Sequence, residues 1–322
     1  MKDSFSRNIN YLRLSVTDKC NLRCIYCMPE CGVKSIRHDE MLSFEETERL
    51  CRILVSLGIE KIRITGGEPM VRRDILQLIK SLSGIEGLKS LNITTNGLKL
   101  KETAYELKAL GVDGLNVSLD TLNRDTFKRL TGYDGLGEVL SGLKTAFELG
   151  FKLKINCVPV VGFNNEEAEE IAALAKDKDI DVRFIELMPI GVGRNYRGVD
   201  ERTLLQRFNK IFGEAQSLNL HGSESAEMFV FPGFKGRVGF IAPMSDKFCS
   251  SCNRLRLTGE GYLKLCLYHS DGVDLKRLLR SGAEDDVIRK AVCEAVKRKP
   301  KEHSFSFDEE NEEKRGMNRI GG

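Results

Sequence analysis

Three cysteines near the start of the chain, Cys20, Cys24 and Cys27, have a spacing that suits metal chemistry. In the pattern C-x3-C-x2-C, three thiolates on one short loop can bind three irons of a cubane cluster, and the fourth iron then has no protein ligand. An iron–sulfur cluster used only for electron transfer normally has four cysteine ligands. The spacing therefore predicts a [4Fe-4S] cluster whose open iron binds another molecule, so that these cysteines are catalytic as well as metal-binding.

A second group of three cysteines lies far along the chain, at Cys249, Cys252 and Cys266. Two kinds of site fit this spacing. One is a zinc site completed by a fourth ligand such as His269. The other is a second [4Fe-4S] cluster that again has one open iron.

Two arginines follow the second group, in the run Arg254-Leu255-Arg256. Alternate residues of a strand share a face, so both guanidinium groups should point the same way. Guanidinium groups bind phosphate oxygens in a bidentate manner. Their position beside a predicted cluster ligand favours a polyphosphate site over a solvated surface.

The composition is that of a globular protein and indicates neither a nucleic-acid nor a membrane partner. The chain has 322 residues, of which 41% are hydrophobic and 30% charged, and its formal net charge is only +3. An anion site must therefore come from local placement of Arg and Lys. No stretch approaches the roughly 20 apolar residues of a membrane span, and no apolar run like that of a signal peptide follows the N-terminus. We expect a cytoplasmic protein whose cysteines bind metal rather than form disulfides.

Short β-branched runs alternate with helical patterns from residue 11 to about residue 215. This alternation predicts parallel strands joined by right-handed crossovers. The expected fold class is α/β, as an incomplete (β/α)6 barrel of the TIM type, although an open doubly wound sheet has the same alternation. Residues 1–215 would form the barrel, and residues 216–322 a C-terminal extension that binds the second cluster and the substrate. The six strands are expected at 11–16, 61–65, 90–95, 114–119, 152–159 and 181–187.

Local patterns mark further elements. Capping-box patterns predict that helices begin after Ser43 and after Asn164. Beyond residue 215 we expect short strands at 229–234 and 237–241, followed by helices at 273–281 and 284–298.

The residues best suited to chemistry come at or just after the ends of predicted strands. In parallel α/β architectures the carboxyl ends of the strands carry the active site. We therefore expect one site on one rim of the barrel, built from these segments: 20–27, 66–69, 94–97, 118–120 and 186–189.

The first cysteine loop, with Tyr26 before its last cysteine, resembles that of the radical S-adenosylmethionine (SAM) superfamily. Gly66-Gly67-Glu68-Pro69 resembles the second motif of that superfamily, which binds the amino group of the cofactor. Glycines allow a close approach of the backbone, and the carboxylate could offset an ammonium group. The resemblance implies that the first cluster binds SAM, which is cleaved to a 5′-deoxyadenosyl radical. It also implies these cofactor contacts: Tyr26, Gly66, Gly67, Glu68, Ser118 and Met188.

The whole set of motifs, with the closing Gly321-Gly322, is similar to one branch of the superfamily, the GTP 3′,8-cyclase family of molybdenum cofactor biosynthesis. The match covers nearly the whole chain. It implies two [4Fe-4S] clusters, the second of which binds the guanine of GTP. Matched motif by motif, the GTP-binding residues would be Arg13, Lys61, Arg63, Thr94, Lys154, Arg183, Arg254, Leu255 and Arg256. Lys152 competes with Lys154 for one of these places.

The same resemblance implies a reaction and partners. Hydrogen abstraction from the ribose C3′ of GTP would form a C3′ radical that adds to guanine C8, and transfer of one electron and one proton to the resulting radical would give 3′,8-cyclo-7,8-dihydro-GTP. The C-terminal tail would reach into the site and Arg319 would add a catalytic cation there. The implied partners are a cyclic pyranopterin monophosphate synthase that uses the product, a reductase, flavodoxin or ferredoxin as electron donor, and a second copy of the chain in a homodimer.

Two alternatives remain at this point. A peptide-modifying radical SAM enzyme with an auxiliary cluster would usually have more C-terminal cysteines and would not need the Arg-Leu-Arg run. A zinc-binding nucleic-acid module would need a basic stripe that the composition does not provide. One segment, residues 217–231, is shorter than the family pattern, so contacts expected from it are in doubt.

Overall fold

The computed structural model describes residues 1–29, 31–218, 226–307, 313 and 315–321. Within these residues there are twelve strands in one sheet. In chain order they are β1 (Tyr11–Ser15), β2 (Lys61–Thr65), β3 (Ser90–Thr95), β4 (Gly114–Ser118), β5 (Lys152–Cys157), β6 (Asp181–Ile185), β7 (Gln216–Leu218), β8 (Glu227–Val230), β9 (Arg237–Ile241), β10 (Arg254–Leu257), β11 (Tyr262–Lys264) and β12 (Gly272–Asp274).

Helices connect these strands and cover one face of the sheet. The α-helices of the described residues are α1 (Phe44–Ser56), α2 (Ile75–Ser83), α3 (Leu100–Ala109), α4 (Arg124–Thr131), α5 (Leu136–Glu148), α6 (Ala168–Ala173), α7 (Glu201–Phe212), α8 (Leu275–Arg280), α9 (Asp285–Lys297) and α10 (Met317–Ile320). No helix in the described part of the chain is long and apolar enough to cross a membrane.

The predicted six βα units are confirmed as the centre of the sheet. Strands β1 to β6 are adjacent in chain order and all parallel, and the full order is β12-β11-β10-β1-β2-β3-β4-β5-β6-β9-β8-β7. The incomplete TIM-type barrel is therefore the correct choice between the two sheets that the alternation allowed. The C-terminal region extends both edges, since β10 runs parallel to β1 and β9 runs parallel to β6. The division of the chain at residue 215 stays a prediction.

The strands alternate between an apolar face that packs on the helices and a polar face that lines the barrel. In β1, Leu12 and Leu14 are 0% and 1% exposed and belong to the core, whereas Arg13 lies between them on the opposite face. In β2, Ile62 and Ile64 pack into the same core. This alternation leaves the inner face free to carry charge.

Both predicted helix starts are found, but only the capping box at Ser43 is confirmed. Ser43 caps α1 in a capping box with Glu46. Asn164 caps no helix, because its side chain instead accepts from the Val160 amide and donates to the Asp120 carbonyl oxygen at 2.8 Å. A turn of 3-10 helix follows it, and α6 begins only at Ala168.

Candidate active site between two cysteine trios

A single cavity of about 360 Å³ is lined by both groups of cysteines. The first trio comprises Cys20, Cys24 and Cys27. The second trio comprises Cys249, Cys252 and Cys266.

The two trios lie at opposite ends of the parallel strands. The first trio follows the carboxyl end of β1, whereas Cys249 and Cys252 come just before β10, in which Arg254 is opposite Tyr11. Cys266 follows β11, which is antiparallel to β10 and so returns to the same end. The strand between the trios, β1, spans about 16 Å at ~3.3 Å per residue. The site therefore runs through the barrel and is not confined to the one rim that we expected.

The loop of the first trio is held by the glycine turn, residues 66–69. The Gly67 amide donates to the Thr17 carbonyl oxygen at 2.7 Å, and the next amide donates to that of Lys19 at 2.8 Å. A Cβ at Gly66 would lie 2.5 Å from the Thr17 oxygen, and one at Gly67 would lie 2.3 Å from the Lys19 oxygen. The glycine turn can therefore pack against the chain that leads into the first trio only because it has no side chain there. From the sequence, we had expected these glycines only to approach a ligand.

The Glu68 carboxylate lies in the cavity wall and is 1% exposed. It accepts hydrogen bonds from the amides of Met70 (3.0 Å) and Asn96 (2.6 Å) and from the Thr95 hydroxyl (2.9 Å). Burial raises its pKa, whereas these donors act in the opposite direction. The carboxylate is thus held in one orientation at the end of the cavity that the first trio occupies.

A second buried acid near the first trio, Asp120, lies in the expected segment 118–120 but was assigned no role of its own. One carboxylate oxygen accepts from the Tyr26 hydroxyl at 2.6 Å and the other from the Val158 amide at 2.8 Å. Burial raises the pKa of Asp120 to about 6, and burial together with Asp120 raises that of Tyr26 well above its usual range. Its place just after the carboxyl end of β4 agrees with the expected segment, and the structure adds its contact with Tyr26.

The thiols of the first trio are held in their neutral form. Burial raises the pKa of all three, that of Cys27 to about 12, and the nearby carboxylate of Asp120 adds to the effect at Cys24 and Cys27. Metal ligation requires thiolates. A bound cluster would itself have to supply the positive charge that stabilises them.

The second trio has cations beside it. The Lys299 ammonium is buried and donates to the carbonyl oxygens of Arg254, at 2.9 Å, and of Leu265. Burial alone would raise the pKa of Cys252, but Lys299 and Arg254 lower it to about 6. Lys299 lines the cavity and was not predicted, because nothing in the sequence near it indicates that the end of α9 returns to β10.

Two layers of side chains cross strands β10, β1 and β2 between the trios. In one layer Tyr11 lies opposite Arg254 on one side and Lys61 on the other. In the other layer Arg13 lies between Arg256 and Arg63 in the same way. All six side chains line the cavity. The predicted alternation of Arg254 and Arg256 is confirmed, but most of the predicted cations lie within strands, not at strand ends.

Tyr11 belongs to this cluster although it was not predicted. Its hydroxyl accepts from the Arg63 guanidinium, and the Lys61 ammonium lies 5.1 Å from the centre of its ring. Burial alone would raise its pKa, but the surrounding cations, Arg63 foremost, lower it to about 8. The signal was available, since Tyr11 is two residues before Arg13 and so shares its face.

The far side of the barrel completes the cavity with β4, β5 and β6. Arg183 donates two hydrogen bonds, 2.7 and 3.1 Å long, to the side-chain oxygen of Asn156. Lys154 forms an ion pair with Asp181 at 3.1 Å. Lys154 lines the cavity whereas Lys152 is exposed outside it, and Lys154 is therefore the better placed of the two. Other predicted residues that line the cavity are Thr94, Ser118 and Met188.

Two predicted site residues do not line the cavity. Leu255 points to the opposite face of β10 from its neighbouring arginines and is fully buried in the core. Arg319 donates to the Lys34 carbonyl oxygen at an exposed position. The side chains of both residues are directed elsewhere, so neither reaches the space between the trios.

The C-terminal tail does reach the cavity wall. The Arg256 guanidinium donates to the Gly321 carbonyl oxygen, and the Asn318 amide donates to that of Asp18 at 3.0 Å. Gly321 has φ +76°, and a Cβ there would lie 2.5 Å from the Thr65 hydroxyl. Gly322, and residues 219–225 of the shortened segment, lie outside the described residues.

The donor atoms fit the predicted groups. Each end of the cavity offers three thiols, which suits a cubane with one open iron. Among the residues that the structure describes, no three His, Cys, Asp or Glu side chains come close enough to bind one metal ion, and a cubane needs no such group because each thiolate binds a different iron. Between the trios, Arg63 Nη1 and Thr94 Oγ1 are buried with no hydrogen-bond partner in the described part of the chain. A polar ligand in the cavity would satisfy both.

Comparison with known proteins identifies the family. Residues 14–175 match the Radical SAM superfamily model, and residues 180–305 match that of Molybdenum Cofactor Synthesis C. Over the whole of both chains, the sequence is 41% identical to a GTP 3′,8-cyclase of Clostridium perfringens (strain 13 / Type A). It is 46% identical to one of Peptoclostridium acidaminophilum, over 99% of this chain and 98% of that one.

Among solved structures, Streptococcus suis SuiB has the same fold, with a TM-score of 0.63 at 17% identity over 88% of this chain and 68% of that one. The full-length relatives named above are cyclases, and neither alternative drawn from the sequence is supported by them. The chain belongs to the radical SAM superfamily and, within it, to the GTP 3′,8-cyclase family.

Proposed function

We propose that this chain catalyses the SAM-dependent cyclisation of GTP to 3′,8-cyclo-7,8-dihydro-GTP in molybdenum cofactor biosynthesis. The observation that carries the proposal is the single cavity with a cysteine trio at each end and two layers of cations between them. An electron-transfer protein would not need a cation-lined cavity between two sets of ligands. A polyanionic substrate held between two clusters would need such a cavity.

The first trio would hold the cluster that binds SAM, and the bound pair supplies the radical that removes hydrogen from the ribose. The chain's own part at this end is orientation and charge. Glu68 is fixed by three donors and can accept from the ammonium group of the cofactor. Asp120 fixes the Tyr26 ring through a 2.6 Å hydrogen bond, so that the ring keeps one position beside the cofactor.

The cation layers would bind the triphosphate. Arg256, Arg13 and Arg63 lie side by side on three adjacent strands, and guanidinium groups bind phosphate oxygens in a bidentate manner. The neighbouring layer adds Arg254 and Lys61. Binding there would offset the repulsion among buried cations, which lowers the pKa of Arg256 further below its usual range after burial has lowered it.

The second trio would hold a second [4Fe-4S] cluster, whose open iron takes the guanine. Lys299 and Arg254 favour the thiolate form of Cys252 and so favour ligation there. Gly321 would close one wall of the triphosphate site, since its carbonyl oxygen accepts from Arg256.

The test is anaerobic turnover with defined products. Reconstituted protein is incubated with GTP, SAM and dithionite, and the products are identified by mass spectrometry. We expect 5′-deoxyadenosine and the cyclised nucleotide in equal amounts, with deuterium carried from [3′-²H]GTP into 5′-deoxyadenosine. SAM cleavage without transfer of the label would contradict the proposal.

Iron analysis provides the second test. About eight irons per chain are expected if both trios bind cubanes, and zinc is expected in neither. Four further properties stay predictions. They are a cyclic pyranopterin monophosphate synthase that uses the product, a reductase, flavodoxin or ferredoxin as electron donor, a homodimer and a cytoplasmic location.

A further inference from the structure

His303 lies in the cavity wall at the end that the second trio occupies. The residue is only 7% exposed. The segment that carries it follows α9 and is held by Arg7, whose guanidinium donates to the carbonyl oxygens of Pro300 (2.6 Å), Lys301 (2.9 Å) and Cys249 (2.8 Å). His303 is therefore fixed to the same frame as the second trio.

The hydrogen bonds of the ring assign its proton. Nδ1 accepts from the Phe305 amide at 3.4 Å, so Nδ1 uses its lone pair and the hydrogen of the neutral ring is on Nε2. Nε2 is buried and has no hydrogen-bond partner in the described part of the chain. A buried donor without a partner is costly and uncommon in native proteins. Its position in a cavity wall points to a partner that arrives with the ligand.

The surroundings of His303 suit a flat aromatic ring. Phe248 and Phe305 line this end of the cavity with Leu265 and Leu267. The ring of His303 lies 4.7 Å from that of Phe305, and the Arg254 guanidinium lies 4.8 Å from the Phe248 ring centre. The layer of Arg13, Arg63 and Arg256 lies further along the cavity, which leaves the aromatic surface at this end for the base of a nucleotide.

The hydrogen-bonding groups here are donors. The Nε2–H of His303 is a donor only, and the nearby Arg254 and Lys299 are cations. A guanine presents two acceptors, O6 and N7, on one edge, whereas adenine presents an amino donor in place of O6. A donor at this position would therefore favour a 6-oxopurine. With a 6-aminopurine, the Nε2–H of His303 would face the amino group, which is also a donor.

We propose that His303 reads the base of the substrate, through a hydrogen bond from Nε2–H to the 6-oxo oxygen of the purine. This inference rests on the proposed function, because it takes GTP as the substrate. It assigns to His303 the selection of guanine over adenine nucleotides. The cations that bind the triphosphate cannot provide this selection, because guanine and adenine nucleotides carry the same triphosphate.

The experiment measures nucleotide binding without turnover. Reconstituted protein is titrated anaerobically with GTP, ITP and ATP in the absence of SAM. The variant His303→Phe keeps a planar ring and removes the donor, whereas His303→Gln keeps a donor near Nε2. His38→Phe, at an exposed histidine outside the cavity, is the control. Iron content shows that each variant retains its clusters.

We expect His303→Phe to weaken the binding of GTP and ITP about 10-fold, as for a lost hydrogen bond to a buried group. ATP binding should be no weaker than in the wild type, because the donor that opposes the adenine amino group is removed. His303→Gln should restore most of the preference, and His38→Phe should match the wild type. An unchanged ratio of GTP to ATP affinity in His303→Phe overturns the inference and leaves the proposed function standing. A wild-type protein that does not prefer GTP overturns the proposed function itself.

Discussion

The two cysteine trios offer the same three thiols but lie in opposite electrostatic surroundings. Beside the first trio are two buried carboxylates, Glu68 and Asp120, and burial raises the pKa of every thiol. Beside the second trio are Lys299 and Arg254, which lower the pKa of Cys252 to about 6 although burial alone would raise it. The neighbouring charges at Cys24 and Cys27 thus differ in sign from those at Cys252, whereas burial raises the pKa of Cys249 as it does in the first trio.

This difference indicates what each end of the cavity is built to receive. SAM brings a sulfonium and an ammonium group, so acids near the first trio complement it. A nucleoside triphosphate brings several negative charges, so cations between and around the second trio complement that ligand. Because the charges lie in a buried cavity, solvent screens them little. If both trios hold clusters as proposed, the residues around each trio would direct the same cluster chemistry to two different ligands.

Removing one ligand from each trio should separate the two roles most strongly. Cys24→Ser should abolish SAM cleavage. Cys252→Ser should still yield 5′-deoxyadenosine with dithionite but no cyclised nucleotide, because it loses only the cluster of the second trio. Each variant should keep about four irons per chain. Product analysis and iron assays check this, and full GTP cyclisation by Cys252→Ser would refute the division of labour.

Neutralising a cation between the trios should weaken the binding of GTP and leave the binding of SAM unchanged. In Arg256→Gln, a charged hydrogen bond worth ~1.5–3 kcal/mol is lost, so KM for GTP should rise about 10- to 100-fold. The affinity for SAM should not change. Arg277→Gln, at an exposed arginine of α8 outside the cavity, is the matched control. Steady-state kinetics and SAM binding are the measurements, and an equal loss for both ligands would contradict the comparison.

The tail glycine should matter for its close contact and not for its φ alone. Gly321 has φ +76° and no room for a Cβ beside Thr65, whereas Gly282 has φ +80° and nothing within 4 Å. Gly321→Ala should lower kcat about 10-fold, or ~1.4 kcal/mol, by shifting the carbonyl that faces Arg256. Gly282→Ala should cost ~1–2 kcal/mol of unfolding free energy and leave turnover unchanged.

Denaturant unfolding and turnover of both glycine variants distinguish these effects. If the two substitutions lower turnover equally, backbone strain and not the contact with Thr65 is responsible. Iron content measured in parallel shows whether either variant has lost a cluster.

The smallest effect to measure is the ionisation of one tyrosine at each end. Burial would raise the pKa of Tyr11, but the surrounding cations outweigh it and lower the pKa to about 8. Tyr11 should therefore lose its proton at a lower pH than free tyrosine does. The pKa of Tyr26 is raised by burial and by Asp120, so Tyr26 should stay protonated as the pH rises past 10. NMR of ¹³Cζ-labelled tyrosine follows both, with Tyr11→Phe and Tyr26→Phe to assign the signals.

A bound triphosphate should raise the pKa of Tyr11, because its negative charge offsets the cations that favour the phenolate. It should leave Tyr26 protonated throughout the same pH range. Two tyrosines that titrate together would show that the electrostatic contrast is absent.

The sequence alone determined the two groups of cysteines, the central strands and the family resemblance. The spacing of the cysteines is local, and the positions of β2, β3 and β9 follow from short apolar runs that end at clear turn residues. The period of two along a strand correctly put Arg254 and Arg256 on one face. The same period places Tyr11 on the face of Arg13.

Only the tertiary structure decided how these parts meet. That β10 lies beside β1 puts the trios at opposite ends of one cavity, and this pairing joins residues more than two hundred positions apart. It also brought Lys299 and His303 from the end of α9 to the second trio, and directed Arg319 away from the cavity. A local pattern specifies a strand and its faces, but the choice of neighbouring strand depends on the packing of the whole sheet and its helices.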